Sequence, residues 1–134
     1  MRNDNSHFTF YNVNPKGRVR TFDCVVRAIS FATGRSWEFV MTELTKYGIS
    51  LGMTFNDVGI YGRWLEKSGW KKYKQPRKPD NRKYTVKEFA TKWPLNTYII
   101  KVAGHLTVVK DGIIYDTWNC GRKAVGNFWV YENN

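Results

Sequence analysis

Three side chains of this sequence are of the types that nucleophilic acyl chemistry needs, namely Cys24, His105 and Asp116. A thiol supplies the nucleophile and an imidazole carries the proton, while a carboxylate fixes the imidazole tautomer and stabilises its charged form. In that arrangement Cys24 attacks a carbonyl carbon. The sequence therefore predicts a catalytic group, provided that the fold brings the three side chains together.

Cys24 lies where a helix is predicted to begin. Asp23 can accept hydrogen bonds from the unpaired N–H groups of a first helical turn, and Gly34 is typical of a helix end. At helical spacing one side of the segment is apolar and consists of Val25, Ala28, Ile29 and Ala32. Arg27 and Ser30 fall on the opposite side. We expect the core to anchor Cys24 at the border of the two faces, where the helix dipole favours its thiolate and a cleft leaves it reachable.

A predicted β-hairpin brings His105 and Asp116 together. Asp111-Gly112 lies between two β-rich runs, and both residues tolerate the positive φ of a two-residue turn. With that turn Thr107 pairs with Asp116, so that His105 and Asp116 become diagonal neighbours on one face. A three-residue loop would flip the parity and separate them. The His–Asp pair therefore depends on the register of the hairpin.

The other segments predict an α+β domain, with helices first and an antiparallel sheet last in segregated layers. Helices are expected from about Ser36 to Gly48, from Thr54 or Asn56 to Gly69, and from a capping box at Thr85 to about Trp93. Strands are expected over residues 97–103, 105–110, 113–119 and 125–131. The patch at residues 8–11 either pairs as a strand or packs against the body. A length of 134 residues fits a single domain, 1–134.

The composition is that of a basic globular chain. There are 22 Lys and Arg against 11 Asp and Glu, a formal charge of +11, and 42% of the residues are hydrophobic. This charge favours acidic partners, which can be nucleic acid, an acidic protein or an anionic surface. The two cysteines form no dense disulfide framework, and the sequence has no signal-peptide core or membrane-length apolar run. We therefore expect a cytoplasmic protein that does not enter membranes.

A basic segment at residues 63–83 indicates a different candidate function. It contains nine Lys or Arg and two acidic residues, with Trp70 and Tyr73 interleaved. Its central cations are Lys71, Lys72, Lys74, Arg77 and Lys78. Cations contact phosphates and aromatic rings stack on bases, so an exposed loop of this kind predicts nucleic-acid binding, although it can equally steer an acidic protein substrate. No helix-turn-helix, zinc-finger or RNA-recognition signature accompanies it.

The chain resembles the papain-like cysteine peptidase superfamily in the order Cys, His, Asp. The residues that carry the likeness are Asp23-Cys24 opening a helix, Gly104-His105-Leu106-Thr107-Val108-Val109 starting a strand, and Ile114-Tyr115-Asp116. It is most similar to small bacterial and phage members such as bacteriocin-leader peptidases. The resemblance implies a nucleophile-bearing helix packed on an antiparallel sheet. It also implies cleavage of a peptide or isopeptide bond in a protein or peptide substrate.

One element of that superfamily has no counterpart in this chain. Many relatives place a Gln before the nucleophile to bind the oxyanion, whereas the sole Gln of this chain is Gln75. The candidates for this role beside the Cys24 backbone N–H are Arg18, Thr21 and Asn14, since any correctly aimed donor stabilises the developing charge.

Each of these residues also has a structural interpretation. Cys24 can be a small buried hydrophobe, and a strand histidine is often structural. Asn119 is an alternative orienting residue, although the predicted pairing places it on the face opposite His105. A zinc site using both Cys and both His would lack a close ligand pair, so no metal or other cofactor is predicted. A papain-like fold that only binds an acidic protein or nucleic acid is the alternative to the enzyme.

Overall fold

A computed structural model describes residues 6–131, and both ends of the predicted domain 1–134 lie outside this range. The helices of this range are α1 Cys24–Thr33, α2 Trp37–Leu51, α3 Val58–Lys67 and α4 Val86–Lys92. The strands are β1 Phe8–Phe10, β2 Trp70–Tyr73, β3 Thr97–Val102, β4 His105–Lys110, β5 Ile113–Asp116 and β6 Phe128–Tyr131. The predicted α+β class is confirmed.

The strands form one mixed sheet of six, in the order β1-β5-β4-β3-β6-β2. β1 is parallel to β5, and the other neighbouring pairs are antiparallel. The sheet is therefore neither wholly antiparallel nor wholly C-terminal, because β1 and β2 add edge strands from earlier in the chain. β2 lies within the basic segment that was predicted to be a loop. Its Lys71 and Lys72 are exposed, and an edge strand accommodates charged side chains of this kind.

Hydrophobic side chains cover both faces of the sheet. On one face α1, α2 and α3 pack against Ile99, Leu106 and Trp129. On the other face α4 packs against Ile100 and Val109. Because residues alternate between the faces of a strand, a sheet with apolar residues at successive positions needs cover on both sides. The layer of α1, α2 and α3 and the sheet are thus joined by a third layer, formed by α4 on the other face of the sheet.

Local chemistry sets the start of α4 but not the end of α2. The capping box of α4 is confirmed, since Thr85 Oγ1 accepts from Glu88 N–H and the Glu88 carboxylate accepts from Thr85 N–H. Gly48, the predicted end of α2, is instead buried inside that helix, where an added Cβ would lie 2.3 Å from Met53 O. The helix ends at Gly52, whose φ is 70°.

No helix within residues 6–131 combines the length and the apolar character needed to cross a bilayer.

Candidate active site

The β4–β5 hairpin places His105 beside Asp116. The predicted two-residue turn is confirmed, with φ of 49° at Asp111 and 79° at Gly112. His105 Nε2 and Asp116 Oδ2 lie 2.6 Å apart. The register that the turn imposes therefore produces the imidazole–carboxylate contact.

The Asp116 carboxylate is buried and has further partners. Thr107 Oγ1 donates to Oδ2 at 2.7 Å, and the backbone N–H of Thr117 donates to Oδ1 at 2.7 Å. Arg27 Nη2 lies 3.6 Å from Oδ1. Charge-assisted contacts of this kind hold the carboxylate in one orientation, with one oxygen turned to His105.

Cys24 is the first residue of α1, and this half-buried residue lines one cavity together with His105. Burial acts to raise the pKa of the thiol. The hydrogen bond with His105, the backbone hydrogen bond from Leu106 and the charges of His105 and Arg27 outweigh burial, so the pKa lies below its ordinary value. Because Asp116 occupies His105 Nε2, the ring nitrogen left for the thiol is Nδ1. The position thus favours a thiolate.

His105 shows the complementary shift. Burial acts to lower its pKa, but the hydrogen bonds with Asp116 and Cys24 and the negative charges of both raise it to about 9. The ring of Trp118 lies against the imidazole with centroids 4.9 Å apart. A lowered thiol pKa beside a raised imidazole pKa favours a thiolate–imidazolium pair at neutral pH.

The predicted role of Asp23 as the cap of α1 is wrong. Its side chain makes no capping hydrogen bond. It accepts instead from Asn14 Nδ2 and Trp37 Nε1, each at 2.9 Å, and pairs with Arg27. The carboxylate is held by these partners, so the first-turn N–H groups of α1 have no side-chain cap beside the thiol.

Arg27 is a site residue that the sequence reasoning missed. It was placed on the polar side of α1, but it is only 9% exposed and its guanidinium lies between Asp23 and Asp116. Ser30, from the same predicted polar side, is also buried and donates to Arg35 O at 2.6 Å. The i,i+4 spacing of Asp23 and Arg27 was the available signal, since such pairs meet on a helix surface.

An open cavity of ≈ 260 Å³ adjoins Cys24 and His105. Its polar walls also include Asn56, Tyr61 and Lys101. Burial raises the pKa of Tyr61 to about 12, with the nearby charges of Cys24 and of the Asp57 carboxylate acting in the same direction. The phenol therefore remains a hydrogen-bond donor at neutral pH.

The three residues considered for the oxyanion do not line this cavity. Arg18 and Thr21 are exposed, and neither contributes to its walls. The Asn14 amide donates to Asp23, while its Oδ1 accepts from the backbone N–H groups of Lys16 and Arg18. Asn14 thus organises the loop before α1 and holds Asp23.

The side chain of Asn119, the alternative orienting residue, forms its hydrogen bond away from the imidazole. Its Oδ1 accepts from Gly121 N–H at 2.9 Å, which stabilises the loop after β5. Asp116 is the group that contacts the imidazole. The predicted preference for Asp116 over Asn119 agrees with this geometry.

Cys120 lies close to the same His–Asp pair. Ligand atoms of His105, Asp116 and Cys120 fall within 4.8 Å of one another, a set that differs from the two Cys and two His considered from the sequence. Cys120 is 1% exposed, and burial raises its pKa to about 12. A metal would have to displace that proton and separate His105 Nε2 from Asp116, so the geometry suits proton transfer better than metal binding.

The aromatic rings of the basic segment pack against other residues of the fold. Trp70 is 5% exposed and belongs to the core under α1–α3. The Tyr73 ring stacks on Phe128 with centroids 5.4 Å apart. Lys78 Nζ lies 2.6 Å from Glu88 Oε2. The segment keeps its positive charge but uses in its own fold the rings that base stacking would require.

No protein-family model, curated protein or solved structure matches the chain. A polarised thiol, an imidazole with a raised pKa, an orienting carboxylate and an open cavity together suit nucleophilic attack on an acyl carbon.

Proposed function

We propose that the protein is a papain-like cysteine peptidase or a related thiol acyl hydrolase. Cys24 is the nucleophile, His105 the proton carrier and Asp116 the orienting residue. The observation that supports this most strongly is the 2.6 Å contact between His105 Nε2 and Asp116 Oδ2 in a site that Cys24 shares, with the pKa of Cys24 lowered and that of His105 raised to about 9. These shifts favour the charge state in which such a pair reacts.

The Cys24 thiolate attacks the carbonyl carbon of a peptide or isopeptide bond and forms a tetrahedral oxyanion. When the C–N bond breaks, the His105 imidazolium gives its proton to the leaving amine, and the acyl group remains on Cys24 as a thioester. Neutral His105 then takes a proton from water as the water attacks the thioester. The carboxylic acid departs, and the thiolate–imidazolium pair is restored.

The cavity supplies donors for the oxyanion without an upstream Gln. The backbone N–H of Cys24 lies in the first turn of α1, which has no side-chain cap. Asn56 lines the same cavity, and its Oδ1 accepts from Thr54 Oγ1 at 2.8 Å, so the amide N–H groups are its remaining polar side. Donors aimed at the developing negative charge lower the barrier of acyl transfer.

Labelling with iodoacetamide at pH 7, read by peptide mass spectrometry, tests the proposed nucleophile. We expect Cys24 to react on the order of 100-fold faster than Cys120, whose thiol is buried and protonated. His105→Ala should slow labelling of Cys24 by about tenfold, because the thiolate loses its cationic partner. His7→Ala removes the other histidine and should leave the labelling rate of Cys24 unchanged. Equally slow labelling of both thiols would favour a binding protein over an enzyme.

A second pair of variants tests which residue orients the imidazole. Asp116→Asn removes the carboxylate on His105 Nε2, so the pKa of His105 should fall from about 9 towards 6.5. Asn119→Ala removes the alternative residue and should leave that pKa in place. NMR titration of the His105 ring protons measures both. A pKa that moves in Asn119→Ala but not in Asp116→Asn would contradict the proposed triad.

A further inference from the structure

The cavity beside Cys24 contains a lysine at a strand position where the neighbouring residues are apolar. Lys101 pairs with Leu106 across β3 and β4, and Leu106 belongs to the core beneath α1–α3. Ile99, two residues earlier on β3, belongs to the same core. Directly paired residues share a face, as do residues two apart on one strand. Lys101 therefore extends from the face of the sheet that α1, α2 and α3 cover, at the end where the cavity opens.

The Lys101 ammonium has no carboxylate partner among residues 6–131. The ion pairs in this range involve other residues. Its backbone is fixed, since its N–H donates to Asn127 O at 3.0 Å and its carbonyl accepts from Gly126 N–H at 2.7 Å. The side chain is half-buried. A partly desolvated cation without a counterion is unfavourable, and a carboxylate on a ligand would relieve that cost.

The other polar walls of the cavity are also suited to an anion. Asn56 offers its amide N–H groups because Thr54 occupies its oxygen. The imidazolium of His105 is offset by the thiolate of Cys24, so this pair adds no net charge to the cavity walls. The cavity walls include no Asp or Glu, and the adjacent Asp57 turns its carboxylate to Gly59 N–H at 2.8 Å, where it caps α3. Lys101 is therefore the uncompensated charge of the cavity walls, and it makes the potential next to the nucleophile positive.

We propose that Lys101 binds a carboxylate of the substrate next to the scissile acyl group. The substrate class would then be peptides or proteins with an acidic side chain or a free α-carboxylate at that position. This inference rests on the proposed function and deepens it. Lys101 is a specificity-determining residue, and the chemical steps do not pass through it. The formal charge of +11 attracts acidic substrates over distance, and Lys101 selects among them on contact.

Two alkylating reagents separate this inference from the proposed function. Iodoacetate and iodoacetamide both form an S–CH₂ bond to Cys24 with loss of iodide, but only iodoacetate carries a carboxylate. The measured quantity is the ratio of their rate constants at Cys24. Lys101→Gln should lower the iodoacetate-to-iodoacetamide ratio by about tenfold at low salt, and by less at high salt. Lys101→Arg should largely preserve the ratio.

Lys87→Gln is the matched control. It removes the same charge from an exposed position on α4, which packs on the opposite face of the sheet, and should leave the ratio unchanged. If Cys24 reacts rapidly and Lys101→Gln keeps the wild-type ratio, this inference is overturned while the proposed function stands. If Cys24 reacts slowly with both reagents, both are overturned.

Protection of Cys24 from iodoacetamide distinguishes the two carboxylate sources. N-acetylaspartate α-amide carries only a side-chain carboxylate, and N-acetylglycine carries only an α-carboxylate. The compound that slows labelling of the wild type but not of Lys101→Gln identifies the source. Failure of both to protect the wild type at millimolar concentration would also count against a carboxylate site.

Discussion

At the scale of single residues, Cys24 and His105 form one titrating unit. The Cys24 pKa lies below its ordinary value of 9.0, whereas that of His105 rises from 6.5 to about 9. As the pH is lowered, Cys24 should therefore become protonated at a lower pH than an ordinary thiol. Raising the pH through about 9 removes the imidazolium proton that the leaving amine needs.

The expected result is a pair of distinct pH profiles. Labelling of Cys24 by iodoacetamide should persist to lower pH than labelling of N-acetylcysteine, because alkylation needs only the thiolate. Peptide hydrolysis, which also needs imidazolium, should decline above about pH 9. Stopped-time labelling and a hydrolysis assay from pH 5 to 10 measure the two profiles. A Cys24 profile that superimposes on that of N-acetylcysteine would show that His105 does not influence the thiol.

At the scale of elements, Arg27 joins α1 to β5 beneath the site. Its buried guanidinium lies between Asp23, at the start of α1, and Asp116, at the end of β5. Arg27→Met keeps an unbranched side chain but leaves the buried Asp23 carboxylate without a cation and the Asp116 carboxylate with His105 alone. We expect the free energy of unfolding to fall by about 3 kcal/mol, because removing one partner of a buried ion pair leaves uncompensated charge.

Urea denaturation at pH 7 measures this change. Arg63→Met, at an exposed position on α3, makes the same substitution away from any buried carboxylate and should alter stability by less than about 0.5 kcal/mol. Equal stabilities of the two variants would mean that the Arg27 contacts contribute little to holding α1 against the sheet.

The elements that the sequence predicted well are those set by neighbouring residues. The hairpin register follows from Asp111-Gly112, and the start of α4 follows from Thr85 and its partner three residues later. Asp23 misled the prediction because its partners Asn14 and Trp37 lie 9 and 14 positions away along the chain. Local capping preference was overridden by contacts that only the folded chain creates.

Edge strands were hard to predict for the same reason. β2 consists of Trp70–Tyr73, a run with two lysines, and it becomes a strand by pairing with β6 near the other end of the described chain. In the sequence, Lys101 is one residue of a predicted strand; the fold shows which face of the sheet it occupies and that no ion pair within residues 6–131 involves it. Long-range pairing decides such positions.

In the whole molecule, the site lies at the end of the sheet where β4 begins. At that end a side chain from one face can reach a helix that covers the other face. Along β4, Leu106 points to the core under α1–α3 and Val109 to the core under α4. His105 has the parity of Val109, yet it is the first residue of the strand, so its ring reaches Cys24 around the end of the sheet. The triad thus depends on where β4 begins as well as on its register.

The charge of the whole molecule gives a last prediction, which addresses nucleic-acid binding. A protein of charge +11 with exposed Lys71, Lys72 and Lys74 should bind polyanions weakly through counterion release. Trp70 is buried and the half-buried Tyr73 ring already stacks on Phe128, so bases should add little stacking energy at this surface. An oligo-dT and an abasic phosphodiester of equal length should therefore bind with the same affinity, within about twofold.

Fluorescence anisotropy at two or more salt concentrations measures this comparison. Changing the three exposed lysines to Gln should weaken both ligands equally and reduce the salt dependence by about one phosphate contact per lysine. Cys24→Ala should leave binding unchanged, because the positive surface does not depend on the thiol. A preference of about tenfold or more for the oligomer with bases would reveal a stacking surface. In that case the basic segment would be a nucleic-acid site that contacts bases, whereas equal binding would mean that it attracts polyanions through its charge alone.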